Sequence, residues 1–256
     1  MPYALAVTLM VVAGLSVGSF LNVCIHRLPR GESIVWPGSH CPSCGAPIHW
    51  LHNVPLAGYM MLGGRCASCR RAISPRYPIV EAACAGLFVL HYLQLGWSPL
   101  LPVRLMFAAA MLVLFLIDLE HQILPNVITL PGIVVGMAAS LFLEPGWRSA
   151  AAGVLVGGGT LWLIAEVYLR ARGIEGMGMG DVKMLAMVGA FLGWPLTLVT
   201  LVAASLAGAV VGIALMIIHR KGLHYALPFG TFLALGAVAA GLWGQPVVDW
   251  YATLYQ

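Results

Sequence analysis

The chain has 256 residues, of which 61% are hydrophobic and 9% charged, with a mean hydropathy of +0.92. Soluble domains carry roughly 25% charged residues, so a soluble class is excluded and an all-α polytopic membrane protein is expected. The net charge of +4 reports topology through the placement of Lys and Arg; nucleic acid is not an expected partner.

The first apolar run covers about 3–24. It lacks the basic n-region of a cleaved signal peptide and leads into a cationic loop, so a retained membrane helix is expected. That loop, about 26–78, carries Arg27, Arg30, Arg65, Arg70, Arg71 and Arg76 against the single acid Glu32. Such an excess marks the cytoplasmic side and places the N-terminus outside. Further apolar runs follow at about 79–95, 102–119, 127–143, 149–169, 182–193, 196–218 and 229–248. Turns holding Trp97, Trp147 and Trp194 separate them on the outer side, where tryptophan suits the interfacial belt. Inner connections fall at 120–126, 170–181 and 219–228. The pattern predicts about eight transmembrane helices with both termini outside, the sixth short for a crossing of about 20 residues. Every Lys and Arg except Arg104 and Arg148 then lies on the inner side or at an inner helix end. The organisation read from this is a first helix over 1–25, a cytoplasmic zinc-binding loop domain over 26–78, and a membrane domain over 79–256. No internal repeat is evident, and Gly157-Gly158-Gly159 reads as close helix packing.

Within the loop, Cys41-Pro42-Ser43-Cys44 and Cys66-Ala67-Ser68-Cys69 are two CxxC pairs with 21 residues between them. The spacing is close to a zinc ribbon. Four thiolates close a tetrahedral Zn²⁺ site with no open position, which makes the expected role structural. Disulfides or reactive thiols are the other reading, and a cytoplasmic loop argues against disulfides. Iron would fit four Cys as well. His40, His49 and His52 read as polar loop residues, and Cys24 and Cys84 as packing residues.

The stretch Gly176-Met177-Gly178-Met179-Gly180-Asp181 brings three glycines and a carboxylate to the mouth of a membrane segment. Asp118 stands at the inner end of the third run, and an ionisable group in such a place is a functional candidate. Either aspartate alone reads as a helix cap or an interfacial charge. Together, at one depth, they can share a proton and activate water for peptide hydrolysis. Helix dipoles favour the charge on Asp181, at a helix N-terminus, and the proton on Asp118, at a C-terminus. An ion-coupled transporter is the alternative class, but it would place its carboxylates near the midplane.

Several stretches, in order along the chain, resemble the type IV prepilin peptidase (prepilin leader peptidase/N-methyltransferase) family of GxGD-type aspartic proteases. They are 18–29 (GSFLNVCIHRLP), the double CxxC loop, 73–81 (ISPRYPIVE), Ile117-Asp118 with Leu124-Pro125, and Gly178-Met179-Gly180-Asp181-Val182-Lys183. Asn126 departs from the Asp that many members carry after Leu-Pro. The resemblance implies an inner-membrane endopeptidase with Asp118 and Asp181 catalytic, acting on type IV prepilins or type II secretion pseudopilins. It would cut after a Gly at the cytoplasmic face, with Gly178 and Gly180 letting the substrate strand approach. Many members also methylate the new N-terminus with S-adenosylmethionine; a peptidase without that activity is the alternative. Asn22, Arg27, Arg76 and Glu81 are candidates for the methyl-donor site, or for a polar network tying the loop to the helices. Membrane lipids are the further expected partner, and the oligomeric state stays open.

Overall fold

A computed structural model describes residues 2–174, 176–219 and 227–254. Most of the inner connection at 219–228 therefore lies outside the described residues. The described chain is helical, with two isolated β-bridges in the loop. The helices are α1 (Tyr3–Arg27), α2 (Ala57–Met61), α3 (Arg76–Leu95), α4 (Leu100–His121), α5 (Asn126–Ala139), α6 (Trp147–Arg172), α7 (Met179–His219), α8 (Phe229–Trp243) and α9 (Gln245–Thr253).

All eight apolar runs are helical, but eight helices of crossing length do not result. Among the described residues five segments are long and apolar enough to cross a membrane: Tyr3–Arg30, α3, α4, α6 and Met179–Ile218. The pair α8 and α9, bent by 69°, makes a sixth if taken as one broken span. Two causes account for the difference from eight. The run at 127–143 yields a helix of 14 residues, because Phe142 and Leu143 turn back on Ala139. The runs at 182–193 and 196–218 join into α7, broken where Gly193 takes φ 77°, ψ 169° just ahead of Pro195. Proline has no N–H for the helix ladder, and the Thr197 hydroxyl satisfies the Gly193 carbonyl at 2.7 Å.

The chain divides into two compact units, Met1–Val113 and Leu114–Gln256, with the boundary inside α4. In the first unit α1 packs on α3 around Cys84, Val80 and Ile25, all at most 1% exposed. The approach is close because Gly18 has no side chain; a Cβ there would stand 2.7 Å from the Glu81 Cα. In the second unit α7 is the central helix, contacted by α5, α6 and α8. Its Met184, Leu185, Met187 and Val188 are fully buried. Lipid tails are as apolar as these side chains, so helices associate there through tight backbone contact. Gly153 of α6 provides it: a Cβ there would lie 2.6 Å from the Gly189 carbonyl oxygen. Gly157 and Gly158 face Leu185 and Ala186 of α7 in the same way, whereas Gly159 faces open space.

Candidate functional site

In the second unit, Asp118 sits in the last turn of α4 and Asp181 in the first turn of α7. Asp118 is buried, at 4% exposure, and Asp181 is half-buried. The two carboxyls are close enough to interact electrostatically. A buried carboxylate needs hydrogen bonds, and Asp118 receives them from a third helix. Thr231, in the first turn of α8, donates to Asp118 Oδ2 from its backbone N–H at 2.6 Å and from its hydroxyl at 3.0 Å. That N–H is one of the four that a helix start leaves without an internal acceptor. Gly230 beside it makes the approach possible, since a Cβ there would stand 3.0 Å from Asp118 Cγ.

Gly178 lies just before α7, and its carbonyl accepts the Asp181 N–H at 3.2 Å. Around a Cβ built on Gly178 the nearest atoms are 3.9 Å away or more, so this position has room beside the Asp181 carboxyl. Gly180 is tighter; a Cβ there would meet the Leu124 side chain at 3.0 Å. One turn of chemistry escaped the sequence reading here. Lys183 donates to Asn126 Oδ1 at 2.9 Å, tying the start of α7 to the start of α5. Thr231 and Gly230 escaped it too, because a threonine and a glycine opening an apolar run carry no mark of a partner 113 residues away. The one available signal was the turn-forming Pro228 ahead of them.

In the first unit the four Cys come together: the Sγ atoms of Cys41, Cys44, Cys66 and Cys69 all lie within 4.8 Å of one another. Cys41 and Cys69 are separated by 3.9 Å. Four sulfurs at about 2.3 Å from a tetrahedral metal would stand about 3.8 Å apart, so the donor set fits a metal ion. Each pair sits on the same turn. His40 bridges Pro47 around the first and Arg65 bridges Ala72 around the second. The N–H of Gly45 returns to the Cys41 carbonyl, and the N–H of Arg70 to that of Cys66. Gly45 (φ 70°) and Arg70 (φ 58°) therefore occupy one left-handed position in two copies of a knuckle. A short internal repeat exists after all, Cys-x-Ser-Cys-x-x-x-Ile at 41–48 and again at 66–73, with the same backbone shape in both copies. The N–H groups of Cys69 and Ser68 lower the Cys66 thiol to about 6. The N–H of Ala46 favours the Cys44 thiolate too, but its thiol neighbours, Cys41 first, push it up to about 11. So many thiols cannot all ionise side by side without a cation.

A cavity of about 1010 Å³ opens beside this cluster, and Asn22, Arg27, Arg76 and Glu81 all line it. Arg27 is buried and donates to the carbonyls of Ser33 and Gly38, a loop-holding role. Glu81 accepts the Leu56 N–H at 2.8 Å. The Arg76 guanidinium lies 5.5 Å from the Tyr77 ring centre. Asn22, at 2% exposure, donates to the Tyr77 and Gly18 carbonyls, while its Oδ1 has no hydrogen-bond partner. His40 and His52 also line the cavity, outside the four-sulfur set.

Comparison with known proteins gives two family matches. Residues 12–95 match the bacterial peptidase A24 N-terminal domain, and residues 105–213 match the type IV leader peptidase family. The chain is similar to the prepilin leader peptidase/N-methyltransferase of Pseudomonas aeruginosa, 36% identical over 94% of this chain and 91% of that protein. Those of Pseudomonas putida (36% identical; 94% and 92%) and Burkholderia pseudomallei (35% identical; 96% and 88%) are similar over comparable lengths. No solved structure matches the chain. Thr231 and the rest of α8 lie beyond both matched segments.

Proposed function

Since this chain belongs to the type IV leader peptidase family, we propose that it cleaves the leader from type IV prepilins or type II secretion pseudopilins, with Asp118 and Asp181 as the catalytic dyad. The observation that carries the reading is the placement of the two carboxyls at the ends of α4 and α7, with one side chain, Leu124, against both Gly180 beside Asp181 and Gly230 beside Asp118. Two neighbouring carboxyls sharing one proton can take a proton from water and polarise a carbonyl in the same step. The open space beside Gly178 suits the approach of an extended strand. The excess of cationic residues supports a reading in which this end of the helices lies at the cytoplasmic face of the inner membrane, with both termini on the other side.

The names of the relatives extend the reading to N-methylation of the new N-terminus. S-adenosylmethionine supplies a methyl group on a sulfonium when bound. The cavity of the first unit fits it on two grounds. Its volume suits a nucleoside-sized ligand, for which pockets of roughly 300–1,000 Å³ are usual. The buried Asn22 Oδ1 offers an acceptor that the protein leaves unused. Asn22 and Glu81 would hold the donor's polar groups, Arg76 would line the entrance, and Arg27 would keep the loop folded around it. Zn²⁺ is the metal proposed for the four Cys, holding this wall of the cavity.

Cleavage of a prepilin by purified enzyme in detergent, with labelled S-adenosylmethionine present, tests both activities. Loss of cleavage in D118N and in D181N supports the dyad, and wild-type cleavage by either variant refutes it. Label incorporation into the cleaved product decides methylation, and elemental analysis near one zinc per chain decides the metal.

A further inference from the structure

We propose that Thr231 is a positioning residue that holds Asp118 ionised, so that Asp118 is the base of the dyad and Asp181 its acid. The proposal rests on the dyad reading above and assigns its two halves.

Asp118 lies at the C-terminal end of α4 and Asp181 at the N-terminal end of α7. Dipoles alone would therefore put the charge on Asp181. The hydrogen bonds oppose this. Both Thr231 donors reach one oxygen, Asp118 Oδ2, and one of them is an unpaired N–H in the first turn of α8. Asp118 thus caps α8 from another helix and receives the positive end of that helix as well. Asp181 accepts no comparable hydrogen bond among the described residues. Direct bonds to a charged acceptor outweigh the field of a helix end, so the single charge of the pair rests on Asp118. Asp181 on α7 is the titratable group that faces it. Glu120 and His121 follow on its own helix, Lys183 is held by Asn126, and α5 and α8 contain no ionisable side chain.

The chemistry then has a direction. With Oδ2 held by Thr231, Asp118 removes a proton from water as the water oxygen bonds to the scissile carbonyl carbon. The carbonyl oxygen takes the proton of Asp181, giving a neutral gem-diol. On collapse the C–N bond breaks, the nitrogen takes the proton from Asp118, and one diol hydroxyl returns a proton to Asp181. The products are a carboxylic acid and an amine, and both aspartates are back in their starting states.

The test compares T231V and T231S in the full-length enzyme, with a synthetic peptide spanning the leader junction as substrate, across pH. T231V keeps the shape and loses the hydroxyl. It should lower kcat by about tenfold to a hundredfold, the size expected for one lost hydrogen bond to a charge. KM should change little, and the acid limb of the pH profile should move up by about one unit as the anion loses a donor. T231S restores the hydroxyl and should recover most of the rate. A T231V enzyme with wild-type kcat and an unmoved acid limb overturns the proposal, as does a T231S enzyme as impaired as T231V. Should T231V not fold, T231A removes the same hydroxyl without a branched replacement, and a folded T231A with wild-type kcat is equally decisive. D118N in the same assay separates the two readings. Wild-type cleavage by D118N refutes the dyad itself; an inactive D118N beside indifferent T231V and T231A refutes the role of Thr231 alone.

Discussion

The two units keep polar chemistry in order by different means. In the second unit Asp181 stands on α7, whose backbone touches that of α6 at Gly189 and Gly153, and a side chain from α8 ties Asp118 of α4 down. In the first unit the four Cys ride on two short turns. Between α1 and α3 the longest helix has five residues, and Cys44 and Cys69 are exposed. The helical site is organised by packing that exists without a ligand. The loop has only short elements of its own, and a metal bound by all four sulfurs would close it. One site should therefore tolerate loss of metal and resist no change in its packing; the other should behave the opposite way.

That contrast can be broken most sharply at the ends of its range. D118N or D181N should cut cleavage by about a thousandfold or more, as removal of a reacting group does, while metal content stays unchanged. Stripping the metal with a chelator, or making C41S, should unfold the loop, since a structural zinc supplies roughly 10 kcal/mol or more of folding free energy in small domains. Protease should then cut within 31–75 while α6 and α7 stay protected. Gly153→Val should cost about 1–3 kcal/mol through overpacking against Gly189, read as a lower Tm with the zinc retained. Asn22→Ala should raise the KM for the methyl donor by about tenfold, in line with one lost hydrogen bond, and leave leader cleavage at its normal rate. The smallest effect is expected for Arg70→Gly, which relieves a left-handed backbone position and should stabilise the loop by about 1 kcal/mol. If Arg70→Gly and Gly153→Val moved both units equally, the separation drawn here would be wrong.

Sequence patterns exposed the groups whose chemistry is out of place in their surroundings. A carboxylate at the end of an apolar run, or four Cys at ribbon spacing, is visible without any structure. Apolar runs likewise located the long helices, though not α2 inside the loop nor the bend that separates α9 from α8. What they could not fix was where helices end. The turn at 193–195 did mark a break, at Gly193 with its non-helical backbone, whereas nothing in the run at 127–143 showed that the helix stops at Ala139. Thr231 was hidden for a related reason: its partner is set by how α4 and α8 pack, and a threonine in an apolar helix is ordinary on its own. The knuckle repeat was legible as Cys-x-Ser-Cys-x-x-x-Ile at 41–48 and 66–73; what the pattern did not show is that Gly45 and Arg70 share one left-handed position.

One last consequence comes from the lengths of α5 and of the first arm of α7. Each reaches about 21 Å, at 1.5 Å per residue. They are latched together at both ends, by Lys183 to Asn126 and by the Ser140 hydroxyl to the Ala190 carbonyl at 3.0 Å. A bilayer's hydrocarbon layer is about 30 Å thick. Were the exposed Trp194 to sit at the far interface, about 9 Å of oil on the near side would have no helix to cover it. Headgroups and water would then dip to fill that deficit, at the level of Asp118 and Asp181. A hydrolase in a membrane needs a supply of water, and the shortness of two helices would deliver it.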